Sequence, residues 1–399
     1  MRIWTSVVAA SLVLLAGAAA AQDKRHYKIG VLTDMTGILS SSLGAGSVDG
    51  ARMAIEDFGE TVNGQPVELV FADHQNKPDI GAAIARKWFD VDGVDAILDI
   101  GNSAVALAVR ELVESKKKIA IYSGASSADL TGKSCSPNTA QWSHDSYLFA
   151  HALPAELLRQ GRKKWFLIVQ DWAFGHSLES ELKKVVPENG GQIVDSVRHS
   201  PGTMDFSSFL VRAQSSGADT VAFLTAGQDL TNMIKQAHEF GLSTGSQQLV
   251  ALAFLLADVH GLGTQQAEGI LFATVWYWNL DKRAREWSER FFARNKFMPA
   301  EAHAGVYSST THLLKAVSAA GSTEPEKVME KMREIPVNDF YTDGIKLRED
   351  GRLPRKAYVA RTKSPAESKE AWDYYKIVSE IQPETAWRPL SDKACPLIK

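Results

Sequence analysis

The sequence has few cysteines and almost no excess charge. Cys135 and Cys395 are the only two cysteines among 399 residues, which excludes a disulfide-dense scaffold and a four-cysteine zinc site. Lysine and arginine total 44 against 47 aspartate and glutamate, a formal net charge of −3, so the composition disfavours nucleic acid as a partner. The two cysteines either form one disulfide or stay free, and the sequence leaves both alternatives open.

Long apolar runs are also missing, except at the N-terminus. Residues 3–15 form an apolar run after Arg2, and the alanines at 19–21 supply the small side chains that a signal peptidase requires. The run is shorter than the roughly 20 residues that span a bilayer, and no stop-transfer pattern follows it. The pattern predicts a signal peptide over 1–21, export, and no membrane insertion of the mature chain. A membrane anchor is the alternative.

Strands and helices alternate from residue 27 onward. Strands are predicted, in chain order, at 27–32, 67–72, 96–100, 118–122, 165–169, 192–197, 220–224, 248–252 and 269–276. Helical spacing of apolar residues fills most of the segments between them. Apolar strands that alternate with helices are typical of parallel sheets covered on both faces. Because the series restarts after residue 145, we predict an α/β protein of two doubly wound, mainly parallel-sheet lobes.

Two open sheets that face each other leave a cleft between them. No Pro- or Ser-rich linker separates the halves, so short segments are expected to cross from one sheet to the other. In open parallel sheets, ligands bind beyond the carboxyl ends of the strands. This rule selects six loops as the candidate site: 33–45, 99–103, 123–127, 170–175, 225–229 and 253–256.

The motifs do not assemble a catalytic or metal site. In segment 44–50 the third glycine comes one residue late for a dinucleotide-binding fingerprint. Segment 175–179 ends in glutamate, where a nucleophile elbow needs glycine. The histidines are scattered and do not form the helical pair that binds zinc. We therefore predict no enzyme activity, no metal and no cofactor.

Two of the six loops have the composition of an anion-binding pocket. Residues 101–103 (Gly-Asn-Ser) and 124–127 (Gly-Ala-Ser-Ser) present hydroxyls and backbone N–H groups at the start of a predicted helix or turn. Such positions favour a carboxylate because of unpaired donors and the helix dipole. Ser103 and Ser126 are explained equally well as helix caps, so the residues alone leave both interpretations open.

The ordered motifs resemble those of the branched-chain amino-acid (Leu/Ile/Val) periplasmic binding proteins. The likeness runs from residue 27 to about 345 and is carried by KIGVLTDMTG (28–37), GARMAIED (50–57), DHQNKP (73–78), GNS (101–103), DFS (205–207) and QAHEFGL (236–242). It implies a type I periplasmic solute-binding protein of an ABC importer, with two lobes joined by a hinge of three crossings. The implied N-terminal lobe is 22–143 plus about 276–344, and the C-terminal lobe is 144–275 plus about 345–399.

The resemblance also implies roles for individual residues. Ser103 and Ser126 match positions that hold the ligand carboxylate in that family, and Gly124 matches a residue whose carbonyl takes the ligand's ammonium. Phe174 stands where amino-acid binders carry tyrosine, so it provides an aromatic ring beside the ligand but no hydroxyl. Three further residues complete the candidate ligand-binding set: Asn102, Trp142 and Ala253.

One departure from the family pattern bears on the ligand. The acid that pairs with the α-ammonium of an amino acid aligns within residues 252–255, which are Leu-Ala-Phe-Leu. A buried ammonium without a carboxylate partner is costly, so we favour an aromatic or keto-type carboxylate, with aromatic side chains as walls. Asp229 or Asp258 is the alternative source of the acid, and an acid within reach of Gly124 would favour an amino acid.

The sequence thus predicts a periplasmic receptor that closes on a small carboxylate and delivers it to an ABC permease with its ATPase. A true Leu/Ile/Val-binding protein is the nearest alternative. A ligand sensor for a signalling partner is the second.

Overall fold

The computed structural model describes residues 25–242 and 245–399, so the predicted signal peptide over 1–21 lies outside the described residues. The first sheet has six strands: β1 (Tyr27–Thr33), β2 (Thr61–Val62), β3 (Gln65–Asp73), β4 (Ala96–Asp99), β5 (Ile119–Tyr122) and β6 (Thr139–Gln141). Their order across the sheet is β2-β3-β1-β4-β5-β6, and β2 is the antiparallel member.

The second sheet has seven strands: β7 (Lys164–Gln170), β8 (Gln192–His199), β9 (Thr220–Leu224), β10 (Gln248–Ala251), β11 (Leu271–Thr274), β14 (Ala357–Thr362) and β15 (Tyr375–Ile381). Their order is β15-β14-β11-β10-β9-β7-β8, and β14 runs antiparallel to both of its neighbours, β11 and β15. A short antiparallel pair, β12 (Val337–Asn338) and β13 (Asp343–Ile345), stands apart from both sheets.

Helices cover both sheets. Those that follow strands of the first sheet or pack beside it are α1 (Gly44–Phe58), α2 (Pro78–Lys87), α3 (Ser103–Ser115), α10 (Lys282–Asn295), α11 (Glu301–Ala320) and α12 (Pro325–Glu334). Those of the second sheet are α4 (Ser146–Arg159), α5 (Ala173–Glu188), α6 (Ser207–Ser215), α7 (Gly227–Glu239), α8 (Leu256–Leu262), α9 (Thr264–Ala267) and α13 (Pro383–Ala386). Because helices lie on both faces, β4, β5 and β9 are buried along their whole length.

The chain passes between the sheets three times, at 142–145, 275–281 and 346–356. Buried Arg352, on the third crossing, donates to the backbone oxygen of Ser143 at 2.5 Å and to the carboxylate of Asp145 at 2.5 Å on the first. This buried ion pair ties two crossings together. The predicted fold class, two mainly parallel-sheet lobes joined by three crossings, is confirmed. The exact lobe boundaries at 143, 275 and 344 stay a prediction.

The two cysteines are joined. Cys135 and Cys395 form a disulfide with their Cα atoms 5.7 Å apart, so the free-thiol alternative is wrong. The bridge carries the end of the chain from the second sheet back to the first, beside the loop between β5 and β6. Arg388 meanwhile pairs with Glu181 of α5 at 2.7 Å, so the terminal segment contacts both lobes. Within residues 25–242 and 245–399, no helix has the length and apolar character needed to cross a membrane.

Candidate functional site

A cavity lies between the two sheets, at the carboxyl ends of their strands. It encloses about 570 Å³ of unoccupied space, a volume that includes the open solvent at its mouth. All six predicted loops contribute to it. The lining consists of Leu39, Ser42, Leu43, Gly101, Asn102, Ser103, Gly124, Ser126, His144, Trp172, Ala173, Phe174, Ala226, Ala253, Leu255 and Ala302.

The helices that follow the two predicted anion-binding loops are not capped by Ser103 and Ser126. Asn102 caps α3, because its side-chain oxygen accepts from the N–H groups of Ala104 at 2.9 Å and Val105 at 3.2 Å. Ser127 caps the short 3-10 helix at Ala128–Thr131. The capping interpretation of Ser103 and Ser126 is therefore wrong, and both residues line the cavity.

The hydroxyl of Ser103 is set up as a donor. Its oxygen accepts the backbone N–H of Ser126 at 3.2 Å and that of Ser127 at 3.1 Å. A hydroxyl has two acceptor positions and one proton, so these contacts leave only the O–H to bond a ligand. Ser103 can thus recognise an acceptor such as a carboxylate oxygen. The same contacts fix the loop of Ser126 against the start of α3.

Gly124 and Ser126 are already paired. The Ser126 hydroxyl donates to the backbone oxygen of Gly124 at 3.2 Å. The carboxylate beside Gly124 is that of Asp99, whose Oδ1 lies 3.1 Å from the position that a Cβ on Gly124 would occupy. Asp99 is fully buried behind the loop and does not line the cavity, and the hydroxyls of Thr33 and Ser47 are its polar neighbours. Burial raises the pKa of Asp99 to about 6.

Among the described residues, six helices of more than ten residues begin at the cavity. They are α1, α3, α4, α5, α7 and α11, and each has a lining residue within two positions of its first residue. Helix N-termini carry partial positive charge and unpaired N–H groups, which favours an anion. Within the part of the chain that the structure describes, the lining contains no carboxylate and no lysine or arginine. The electrostatics of the site therefore suit a small anion held by dipoles and hydroxyls.

Two aromatic rings form one wall. Phe174 and Trp172 meet edge to face with their ring centroids 6.5 Å apart, and Phe174 also meets the edge of Phe149 at 6.4 Å. Phe174 carries no hydroxyl, so this wall offers an apolar surface. Ala253 and Leu255 add further apolar surface from the second sheet.

Trp142, a predicted ligand-binding residue, does not line the cavity. Trp142 is fully buried in the core, where its indole N–H donates to the Ser308 hydroxyl at 3.1 Å and its ring contacts His312. The first crossing begins at this residue and packs its side chain against α11, away from the cavity. Phe254, Trp276 and Tyr277 likewise pack against other rings in the core.

Neither alternative acid reaches the cavity. Asp229 accepts from the Gln170 side chain and from the N–H of Gly202, both at 2.8 Å, inside the second lobe. Asp258 accepts from the N–H of Leu255 at 2.9 Å at the start of its own helix. Burial raises the pKa of Asp258 to about 7. Among the described residues, segment 252–255 and its surroundings supply no carboxylate to the site.

His144 is a lining residue that the sequence reasoning missed. It lies on the first crossing, and its Nδ1 contacts the carboxylate of Glu301, the first residue of α11. Glu301 also accepts from the Thr274 hydroxyl at 2.6 Å and the Val275 N–H at 3.0 Å, at the second crossing. A lone histidine outside the strand-end loops gives no sequence signal, because nothing in the pattern predicts which crossing faces the cleft.

The lobes touch each other at the edge of the cavity. Gly227 opens α7 with a left-handed φ of 65°, and a Cβ there would lie 2.4 Å from the backbone oxygen of Ile38 in the other lobe. On a second side, the hydroxyl of Ser127 lies 3.5 Å from that of Ser177 in α5. The two contacts show how closely the lobes approach around the site.

Comparison with known proteins identifies the family. The family model described as "Periplasmic binding protein" matches residues 26–369. The chain belongs to this family. A curated relative, the Leu/Ile/Val-binding protein homolog 3 of Brucella melitensis, is 24% identical over 337 residues, which cover 83% of this chain and 88% of the relative.

Solved structures of the family superpose on nearly the whole chain. A periplasmic binding protein from Burkholderia mallei is 42% identical with a TM-score of 0.91, covering 94% of this chain and 99% of the other. A branched-chain amino acid ABC transporter periplasmic ligand-binding protein from Burkholderia xenovorans is 41% identical with a TM-score of 0.84, covering 94% and 100%. The protein is thus a periplasmic binding protein of the branched-chain amino-acid type of ABC transporter.

More distant structures share the fold alone. A solute-binding protein of an ABC transporter from Rhodopseudomonas palustris, solved in complex with 3,4-dihydroxybenzoic acid, is 20% identical with a TM-score of 0.80, covering 90% of this chain and 98% of the other.

Proposed function

We propose that the protein captures a small aromatic or keto-type carboxylate in the inter-lobe cavity and hands it to an ABC permease. The observation that carries this proposal is the lining, which joins a donor-only Ser103 and the N-termini of six helices to an apolar wall, with no carboxylate among the described lining residues. An anion is favoured at such helix starts, whereas an ammonium would be buried there without a counter-charge.

Each predicted residue has a role in this proposal. Ser103 holds the carboxylate through its O–H, and Ser126 joins it when its O–H turns from the Gly124 backbone oxygen to the ligand. Phe174 and Ala253 cover the rest of the ligand from the second lobe. Asn102 acts indirectly, because its side chain caps α3 and so positions Ser103. Closure needs ligand contacts from both lobes, since a ligand that binds one lobe only favours neither the open nor the closed state.

A true amino-acid ligand is the second candidate, because Asp99 lies directly behind Gly124. In that case the Gly124 backbone oxygen would take the ammonium with Asp99 as a distant counter-charge. The relatives named for leucine, isoleucine and valine fit this candidate as well. The buried position of Asp99 and its raised pKa make it a weaker partner than an acid on the lining.

Export through the segment 1–21, a periplasmic location, and partnership with a permease and an ATPase complete the proposal. The motifs assemble no nucleophile, base and orienting group, so transport without chemistry is the expected activity. A sensor role would leave the binding site unchanged and differ only in the partner.

A thermal-shift screen of residues 22–399 tests the ligand class. Binding to the folded state alone raises the melting temperature with the ratio of ligand concentration to Kd. We expect shifts with benzoate-type or keto carboxylates and none with leucine, isoleucine or valine. Shifts with leucine alone would replace the proposal by the amino-acid candidate.

A further inference from the structure

We infer that His144 presents a hydrogen-bond acceptor to the ligand, so that the site selects a carboxylate that also carries a hydroxyl group. The inference rests on the proposed function and narrows its ligand class. It begins from the only imidazole on the described part of the cavity lining.

The pairing of His144 fixes which ring nitrogen faces the cavity. Nδ1 contacts a carboxylate oxygen of Glu301, and the described residues form no hydrogen bond to Nε2. Nε2 is also not one of the buried side-chain atoms that lack a hydrogen-bond partner. The ring therefore leaves Nε2 for a ligand.

The surroundings of Glu301 determine where the proton lies. Its other oxygen accepts from the Thr274 hydroxyl and the Val275 N–H, as an ionised carboxylate does. It is also the first residue of α11, where the helix dipole favours the ionised form. Glu301 thus accepts from His144, and the proton of a neutral imidazole is on Nδ1.

The burial of His144 favours the neutral ring. The side chain is 5% exposed, and the flanking residues Ser143 and Asp145 both contact the buried guanidinium of Arg352. Burial, followed by the charge of Arg352, lowers the pKa of His144. Glu301 acts in the opposite direction, but it is shared among three donors. A neutral imidazole with its proton on Nδ1 has only a lone pair on Nε2.

The lone pair on Nε2 determines which ligand groups can pair with His144. A lone pair on Nε2 is satisfied by a hydroxyl and repelled by a keto oxygen or a second carboxylate. A site that hydrogen-bonds a ligand O–H rejects analogues without it, because its own polar group is then left unpaired. Of the carboxylates in the proposed class, a hydroxylated aromatic acid satisfies Ser103, Phe174 and His144 together.

Calorimetric titration of residues 22–399 with matched ligands tests the inference. The panel pairs each of 2-, 3- and 4-hydroxybenzoate with the fluorobenzoate of the same substitution, and phenyllactate with phenylpyruvate. Benzoate and leucine complete it. We expect at least one hydroxyl compound to bind about three- to tenfold more tightly than its matched analogue. This comparison needs no variant and so does not depend on folding.

The variant His144→Phe should abolish the preference for the hydroxyl member of each matched pair, so that the ratio of the two Kd values approaches one. His238→Phe, at an exposed histidine of α7 outside the cavity, is the matched control and should keep it. Equal binding of all matched pairs, or a preference that survives in folded His144→Phe, would overturn the inference while benzoate binding still supports the proposed function. Binding of leucine alone would overturn both.

Discussion

The side-chain oxygen of Ser103 accepts the backbone N–H of Ser126 across 3.2 Å, and this bond joins the start of α3 to the loop after β5 at one edge of the cavity. The residues are 23 positions apart in sequence and follow β4 and β5, which are neighbours in the sheet. One hydroxyl therefore both fixes the second loop and keeps its proton for the ligand. Ser103 should be the most sensitive position of the site.

Replacing Ser103 by alanine should weaken binding of the carboxylate ligand by about 10- to 100-fold, since a hydrogen bond to a charged group is worth roughly 1.5–3 kcal/mol. Ser115→Ala, at the exposed end of the same helix, is the control and should leave the affinity unchanged. Titration calorimetry of both variants measures the difference. Unchanged affinity in Ser103→Ala would remove the serine from the site.

A side chain at Gly227 should hinder closure of the lobes. The Cβ of Gly227→Val would meet the Ile38 backbone oxygen, and we expect at least about tenfold weaker binding because the closed state becomes costly. Gly217→Val is the matched control, since Gly217 has a similar φ of 69° with no atom within 4 Å of its Cβ position. Both variants should lose comparable stability, and only the first should lose affinity. Equal affinities would show that closure tolerates the added side chain.

As the pH rises from about 4 to about 6, the ionisation of Asp99 should lower the free energy of unfolding. Its pKa rises from an ordinary 3.8 to about 6 in the folded state, so the unfolded chain releases this proton first as the pH increases. Asp99→Asn removes this titration. The free energy of unfolding of the variant minus that of the unmodified protein should therefore be roughly 2–3 kcal/mol larger at pH 7.5 than at pH 3.5. Asparagine also tolerates the left-handed φ of 73° at this position.

Urea denaturation of both proteins at the two pH values measures the free energy of unfolding. The comparison between pH values separates the ionisation from any packing change caused by the amide, since the latter is present at both. A gain that does not depend on pH would contradict the buried-carboxyl explanation.

Reduction of the disulfide should lower stability while sparing ligand affinity. The bridge closes a loop of about 260 residues, and its loss should cost roughly 2–5 kcal/mol. The double variant Cys135→Ser with Cys395→Ser, compared with the oxidised protein by thermal denaturation, measures this cost. The cavity lining contains neither cysteine, so the Kd should stay within about twofold. A large loss of affinity would indicate that the terminal segment controls the lobes.

The arrangement of strands and helices, and with it the location of the cavity, follows from local pattern. The alternation of apolar strands with helices is sufficient for two doubly wound sheets, and the strand-end rule selects all six loops that line the site. His144 and Ala302 escape this rule because they lie on a crossing and on a helix that follows no strand of the sheet. Their positions depend on how the crossings pack.

Side-chain roles were harder to predict than positions. A serine at a helix start is consistent with a cap or with a ligand donor, and only the neighbouring Asn102 and Ser127 decide between them. An aromatic residue next to a predicted loop is consistent with a wall or with the core, and Trp142 belongs to the core because the first crossing turns it toward α11. The short strand β6 (three residues) offers too little alternation to be detected.

The bridge between Cys135 and Cys395 also sets an order on biogenesis. The thiol of Cys135 emerges 260 residues before its partner, so the covalent link closes only after both lobes have been synthesised and their strands have the chance to pair. With two cysteines in the chain, no competing pairing exists within one molecule, and the remaining wrong partner is a second copy. Correct oxidation of this protein therefore depends on timing and dilution and does not require disulfide isomerisation.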